Sequence, residues 1–282
     1  MTETINQPVS LSVSLVVFDN SMELLEQTLN SLVRATQYLQ HRQQGSRVTL
    51  AIVDNTGSEV YRRQVEELIQ TLEPGVLSAI DYHSSSSNLG FAVAHNQIIA
   101  QQHSNYHLVL NPDVDMRDDV LALGCAYLQQ HQDVVLLSPK VTDPFGLQQF
   151  LCKRHPTVIA LLLRAFAPAF LARQFERQLH YYELRDLCAG TEPVDVPLAS
   201  GCFMLVRTAA LQGVDGFCEQ FFLYFEDFDL SLRLARFGRV LYLPSLQIVH
   251  HGGNASRKGL RHIRLFISSG IRFFRRNGWR WV

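Results

Sequence analysis

Two adjacent carboxylates, Glu226 and Asp227, follow the aromatic run Phe221-Phe222-Leu223-Tyr224-Phe225. Aromatic runs seek burial, and a buried carboxylate is costly unless it is paired, hydrogen-bonded or bound to a cation. An apolar wall also raises a carboxyl pKa, which suits the group to general-base work near neutrality. The plainer account is that first-turn acids favour a helix dipole. It covers Asp229 well and leaves the preceding aromatics unexplained. A second cluster is Asn111-Pro112-Asp113-Val114-Asp115. Carboxylates clustered at a strand end can hold Mg2+ or Mn2+ against a diphosphate, although Asn-Pro-Asp is also good turn chemistry. In "SSNLGFAVAHN" (86–96), serines and a glycine ahead of a helix can turn backbone N–H groups toward an anion, or Asn88 can simply cap the helix. The lysine and spacing of a P-loop are missing. Gly201, inside the strand-like run "ASGCFMLVR" (199–207), implies a bulge or a close backbone approach. His250 and His251 alternate faces on a strand, so one of them points into any given site.

These groups need elements to position them. Strand runs fall at 11–18, 48–54, 77–83, 107–115 and 134–141, and helical spacing falls at 21–39, 59–72, 91–102 and 117–131, with Ser21 as an N-cap. Alternating strands and helices predict a mostly parallel sheet covered on both faces. Ligands of such sheets bind beyond the carboxyl ends of the strands. Asp19 and Asn20, Asp54 and Asn55, Asn88 and Gly90, and Asn111, Asp113 and Asp115 all follow strands, which predicts a polar pocket. Residues 143–195 break the rhythm with four prolines and an apolar, arginine-dotted helical stretch. They read as an insertion over the sheet edge or the site. The sheet resumes near 196–206, a helix runs from Glu226 to a cap at Gly238, and two short strands (240–244 and 246–251) lead to a basic tail.

The 282 residues are 47% hydrophobic and 18% charged, enough for one large domain, or one with an appendage. Five cysteines without a CxxC pair argue against zinc and disulfide frameworks and for a reducing compartment. The polar first ten residues carry no signal-peptide pattern. Neither 157–172, broken by Arg164 and Pro168, nor the arginine-rich 260–282 reads as a membrane span. The net charge of −1 hides an asymmetry. Asp229 is the last acid; eleven Arg or Lys follow it, leaving 14 basic and 26 acidic side chains in residues 1–229. The tail suits anionic lipid headgroups or a phosphate-bearing substrate. No nucleic-acid motif is present, so nucleic acid is not an expected partner.

Taken in order, "VVFDN", "IVDNTGS", "NLGFAVAHN", "LNPDVD", "SGCFMLVR", "FFLYFEDFDLSLRL" and "HHGGNAS" resemble the family 2 glycosyltransferases of the GT-A fold, over about residues 11–260. The "NLGFAVAHN", "NPD" and "FEDFDLSLRL" forms look most like the rhamnosyltransferase-like branch, which builds bacterial O-antigen, capsule and other surface polysaccharides. The resemblance implies an α/β protein of GT-A fold, with a Rossmann-like, mostly parallel central sheet flanked by helices. It places a transferase domain at 1–260, an acceptor-side helical insertion at 143–195 and a basic amphipathic tail at 261–282. It implies an inverting transfer from a nucleotide-diphosphate sugar, best matched by dTDP-rhamnose, to a glycan or lipid-linked acceptor. Asp54 would hydrogen-bond the nucleotide base in a pocket lined by Phe18 and Asp19, with Asn88, Gly90 and Asn111 on the donor side. Asp113 would bind Mg2+ or Mn2+. Asn111 stands where the family has the first acid of its DxD motif, and Asp115 either restores that motif with Asp113 or lies past the site. Asp227 would be the base with Glu226 supporting it, beside a sugar-stacking wall made by the aromatic run. His250 would lie near the metal, with His251 as the alternative. Gly201 would belong to the acceptor loop, and Arg257, Lys258 and Arg261 would meet a diphosphate or a lipid-linked phosphate. The enzyme would be cytoplasmic, held peripherally at the inner face of the membrane. The competing readings are a nucleotide- or carbohydrate-binding module without transferase activity and a membrane-surface scaffold using the tail. A nucleotidyltransferase would need a glycine- and lysine-rich phosphate motif that the first strand lacks.

Overall fold

A computed structural model describes residues 7–166, 174–252 and 260–281. The apolar runs become β1 (Ser10–Val17), β2 (Arg47–Asp54), β3 (Ala79–Ser84), β4 (Tyr106–Leu110), β5 (Val114–Met116), β6 (Val134–Thr142), β7 (Gln148–Gln149), β8 (Val194–Asp195), β9 (Phe203–Arg207) and β10 (Arg239–His250). They form one sheet in the order β3-β2-β1-β4-β9-β6-β10-β5, with β7 on β6 and β8 on β10. β1, β2, β3, β4, β6 and β10 share one direction; β5, β7, β8 and β9 run against them. β1 and β4 are buried almost continuously because helices cover both faces.

One face packs against α1 (Met22–Arg42), α2 (Glu59–Thr71) and α4 (Val120–Gln130). The other packs against α3 (Phe91–Ile99), α8 (Thr208–Gly213) and α9 (Glu226–Leu234). The 143–195 stretch supplies α5 (Val158–Phe166), α6 (Glu176–Tyr182) and α7 (Arg185–Cys188). The tail forms α10 (Leu260–Asn277). A third apolar cluster joins Ala160 and Leu161 of α5, Tyr182 of α6, Phe221, Phe225, and Phe273 and Phe274 of α10.

Four local features differ from the expectation. The run 107–115 is two strands: Pro112 breaks it, and β5 crosses to the far edge to pair with β10. The two short C-terminal strands are one strand, with a register irregularity between Leu243 and Gln247 that contains Pro244. Ser21 occupies the N-cap of α1, but its side chain makes no capping bond. The helix from Glu226 ends at Leu234 with Ala235 as its cap, so Gly238 is not the stop. Gly238 instead lets two backbones approach, since a Cβ there would collide with the Asp133 carbonyl oxygen and lie 2.7 Å from Val135 Cγ1.

Gly238→Ala is therefore expected to destabilise the fold by about 1–3 kcal/mol, as overpacking against rigid backbone does. Urea unfolding of wild type and variant checks this; an unchanged midpoint would refute the close-approach account.

Candidate active site

The first turn of α9 is reached through two strained residues. Tyr224 (φ 71°) and Phe225 (φ 66°) lie in the left-handed region, which is unfavourable for bulky side chains. Contacts with α10 hold them there. The Phe225 ring lies 5.1 Å from Phe266 and 5.5 Å from Phe273. The Tyr224 hydroxyl is 2.9 Å from His262 Nδ1, and Ser269 Oγ donates to the Leu223 carbonyl at 2.8 Å. Phe221 and Phe225 are thus core residues beneath α10. The sugar-stacking wall expected of this run is not where these two rings sit, because the aromatics had a partner about fifty residues further along the chain.

The turn drives Glu226 and Asp227 inward. Asp227 Oδ2 accepts the Gly201 N–H at 3.0 Å, and Oδ1 accepts the Phe228 N–H at 2.9 Å. Ser231 Oγ donates to the Asp227 carbonyl at 2.8 Å and accepts the Ala199 N–H at 3.0 Å. The 199–201 turn is therefore tied twice to α9. Gly201 precedes β9 rather than bulging within it, and a Cβ there would touch Asp227 Cβ and the Phe91 ring, both at 3.4 Å. Burial pushes the Asp227 carboxyl up to about 6, held back by the Gly201 and Phe228 N–H groups. Burial, then the charge of Asp227, raises Glu226 well above the usual carboxylate range. Asp229 plays a different part: fully buried, it pairs with Arg233 at 2.7 Å and with Arg276 of α10 at 2.9 Å.

On the donor side, Asp54 ends β2 with both oxygens engaged. Oδ1 accepts the Thr56 N–H at 2.7 Å and Oδ2 the Tyr82 hydroxyl at 2.5 Å. Phe18 is 48% exposed, and Asp19 has a positive φ of 54° at the end of β1. Asn88 Oδ1 accepts the Gly90 N–H at 2.8 Å. Gly90 (φ 82°) needs its missing Cβ, which would lie 2.7 Å from the Phe222 carbonyl oxygen. The Phe91 N–H donates to that same carbonyl at 3.0 Å, so the 88–91 turn and the aromatic run are joined. Asn55 Nδ2 donates to the Gly90 carbonyl at 3.2 Å. Tyr82 carries no assignment from the sequence; the register of β2 with β3 places it near Asp54.

Asp113 Oδ1 lies 3.4 Å from His250 Nε2, and the His251 N–H donates to the Asp113 carbonyl at 2.9 Å. Gly252 follows, where any Cβ would collide with Asp113 Oδ2. Among the described residues no three His, Cys, Asp or Glu side chains stand at metal-ligand spacing. A carboxylate and an imidazole still fit a divalent cation whose other positions are filled by phosphate oxygens and water. Asp115 lies apart on β5, paired with Arg34 at 3.3 Å, so it does not rebuild the pair with Asp113. Arg257 and Lys258 lie outside the described residues; Arg261 is exposed at the start of α10. Cys202 joins the two halves. Its carbonyl accepts the Asn111 N–H at 2.9 Å, and its thiol is pushed up to about 12 by burial, with Asp113 and Asp227 adding to the shift.

No family model matches the chain. N-acetylglucosaminyl-diphospho-decaprenol L-rhamnosyltransferase of Mycobacterium tuberculosis (strain CDC 1551 / Oshkosh) is 27% identical over 212 residues, covering 69% of this chain and 67% of that protein. Rhamnosyltransferase WbbL of Escherichia coli (strain K12) is 26% identical over 181 residues, 63% of this chain and 61% of that one. The mannosyltransferase PcManGT of Pyrobaculum calidifontis, solved with GDP-Man and Mn2+, aligns at a TM-score of 0.62 and 16% identity over 94% of this chain and 65% of that one. The chain has the GT-A glycosyltransferase fold and is related to the rhamnosyltransferases. It spans about two thirds of the length of each of these three proteins.

In this GT-A chain the Asp227 pKa is higher folded than unfolded. The folded state therefore binds more protons between about pH 4 and 6, and the contribution of Asp227 to stability falls as pH rises through that window. Asp227→Asn loses one of the two N–H acceptors at every pH but does not ionise, so its Tm relative to wild type is expected to be higher at pH 7.5 than at pH 4. Thermal melts at the two pH values check this, and a Tm difference that is the same at both, or larger against the variant at pH 7.5, would refute it.

Proposed function

We propose that the protein is an inverting glycosyltransferase of bacterial surface-polysaccharide synthesis. It moves a sugar from a nucleotide-diphosphate donor to a hydroxyl of a glycan or lipid-linked acceptor. The observation that carries this reading is the position of Asp227: a carboxylate with a pKa of about 6, anchored by the Gly201 N–H and set across Cys202 from Asp113 and His250. Asp227 takes the proton of the acceptor hydroxyl. The acceptor oxygen bonds to the anomeric carbon as the bond from that carbon to the diphosphate oxygen breaks, and attack from the opposite face inverts the configuration. Burial, then the charge of Asp227, disfavours ionisation of Glu226, which works against a second negative charge beside the base. Asp113 and His250 are the residues that would hold Mg2+ or Mn2+, which when bound offsets the charge on the departing diphosphate.

The 88–91 turn and the ends of β1 and β2 would receive the nucleotide. Tyr82 sits on the Asp54 carboxylate, so base recognition there requires Asp54 to share its Oδ2 or Tyr82 to give way. The names of the two sequence relatives favour a rhamnose donor, and dTDP-rhamnose is the specific choice. A lipid-linked acceptor would have the enzyme work as a peripheral protein at the cytoplasmic face of a membrane.

Nucleotide diphosphates screened by thermal shift test the donor site. The expected result is a rise in Tm with dTDP, larger with Mn2+ and diminished in Asp113→Ala; saturation at 100 times Kd corresponds to about 2.7 kcal/mol. A flat response to every nucleotide and metal would refute the donor site. Asp227→Asn is expected to keep the dTDP shift and lose on the order of 10^2–10^4 in kcat. The wild-type kcat/KM should fall about tenfold per pH unit below about pH 6, as a single essential base requires. A variant with near-normal turnover would remove Asp227 from the mechanism.

A further inference from the structure

We infer that α5, α10 and the segment bearing Trp279 and Trp281 form one continuous face that docks on an anionic bilayer by burying apolar side chains. This deepens the peripheral-membrane reading and rests on it for its purpose, while its evidence is separate. The buried side of α10 is Ser269, Gly270, Phe273 and Phe274. Beside it runs a second stripe at helical spacing, Ile263, Ile267 and Ile271, of which Ile267 is 45% exposed. Arg261, Arg264 and Arg275 project further round the helix and make no ion pair with a described residue, whereas Arg276 pairs with Asp229 and Arg272 donates to the Gln220 carbonyl. α5 continues the apolar surface: Ala160 and Leu161 turn inward, while Ile159 and Leu162 face out, Leu162 at 53% exposure. An apolar groove between the helices is lined by Val158, Leu162, Ile267, Ile271 and Trp279.

Residues 279–281 are built into this face. The Val158 and Ile159 N–H groups of α5 donate to the carbonyls of Arg280 and Trp281 at 2.8 and 3.3 Å. Phe274, Trp279 and Trp281 stack in series, with centroids 5.3 and 5.6 Å apart. Single exposed apolar residues are ordinary, but a contiguous patch across two helices is not.

The charge pattern decides the occupant. Residues 157–166 and 260–281 contain no Asp or Glu. A second copy of the chain, docked two-fold on this face, would bring arginine rims together with no acid between them. An anionic headgroup layer matches the arginines, an acyl region matches the isoleucines, and tryptophan suits the boundary between them. Among the described residues no helix is long and apolar enough to cross a membrane, so the face lies on the bilayer.

Trp279 and Trp281 are the only two tryptophans in the chain, so intrinsic emission reports on this face alone. The full chain is mixed with phosphatidylcholine vesicles with and without phosphatidylglycerol, and bound protein is also measured by co-sedimentation. Expected are a blue shift with phosphatidylglycerol and quenching by brominated acyl chains. The double variant Ile267→Ser/Ile271→Ser should weaken partitioning roughly tenfold or more, and each of Arg264→Gln and Arg275→Gln on the order of fivefold at low salt. The dTDP thermal shift of these variants should stay at the wild-type value, which separates failure here from failure of the donor site. Absence of vesicle binding would overturn the inference. So would binding that salt abolishes and the isoleucine changes leave untouched, which would leave a purely electrostatic tail. A chain that elutes as a dimer and becomes monomeric in the isoleucine variant would also overturn it.

Discussion

The site depends on the seating of Phe225 beneath α10. A left-handed backbone at two successive aromatic residues costs of order 1–3 kcal/mol each and persists only when surrounding structure over-determines it. Here Phe266, Phe273, His262 and Ser269 do so, all from one helix. Without that turn, α9 would begin along another direction, and Glu226 and Asp227 would reach solvent. The desolvation that lifts the Asp227 pKa toward neutrality would then be lost. The basicity of Asp227 is in this sense set by packing between residues of α10 and the aromatic run.

The second dependence is on the 199–202 turn ahead of β9. An antiparallel strand inserted between β4 and β6 brings its start beside the end of β4. The turn therefore meets Asn111 and α9 at once. Its Gly201 N–H gives Asp227 one fixed hydrogen bond, which keeps the carboxylate ionisable in a setting that would otherwise hold it neutral. Glu226 shows the contrast: only its own backbone N–H assists it, where Asp227 also has the Gly201 and Phe228 N–H groups, and it is raised further. Two neighbouring carboxylates are thus raised to different extents, in keeping with the placement of backbone donors.

Much of this was legible in the sequence, for a physical reason. Strands covered on both faces must be continuously apolar, so β1, β2, β4 and β6 could be read directly, and with them the polar residues at their ends. Asp113 and His250 lie near each other because β5 pairs with β10, but that pairing spans more than a hundred residues and no local pattern announces it. The same crossing settles Asp115, whose side chain turns to Arg34. The aromatic run was legible as something buried but not as to what buried it. Its partners lie in a tail whose charge reads as a surface for lipid headgroups or phosphate, since composition records the arginines and not the phenylalanines on the reverse of the helix. Tyr82 was missed because β-strand register, rather than residue type, puts it on Asp54.

α10 consequently has two faces with different duties. One carries Gly270, Phe273 and Phe274 and holds the strained entry to α9; a Cβ at position 270 would lie 3.5 Å from the Phe225 ring, so little slack remains there. The other is apolar, arginine-flanked and exposed. Close-packed interiors transmit displacement instead of absorbing it. A tilt of α10 forced by a surface would therefore reach Phe225 and the first turn of α9 with few intermediates. The arrangement places the first turn of α9 one packed layer from the exposed face of α10. It also explains in physical terms why the basic tail is a helix with a buried side and not a flexible charged appendage.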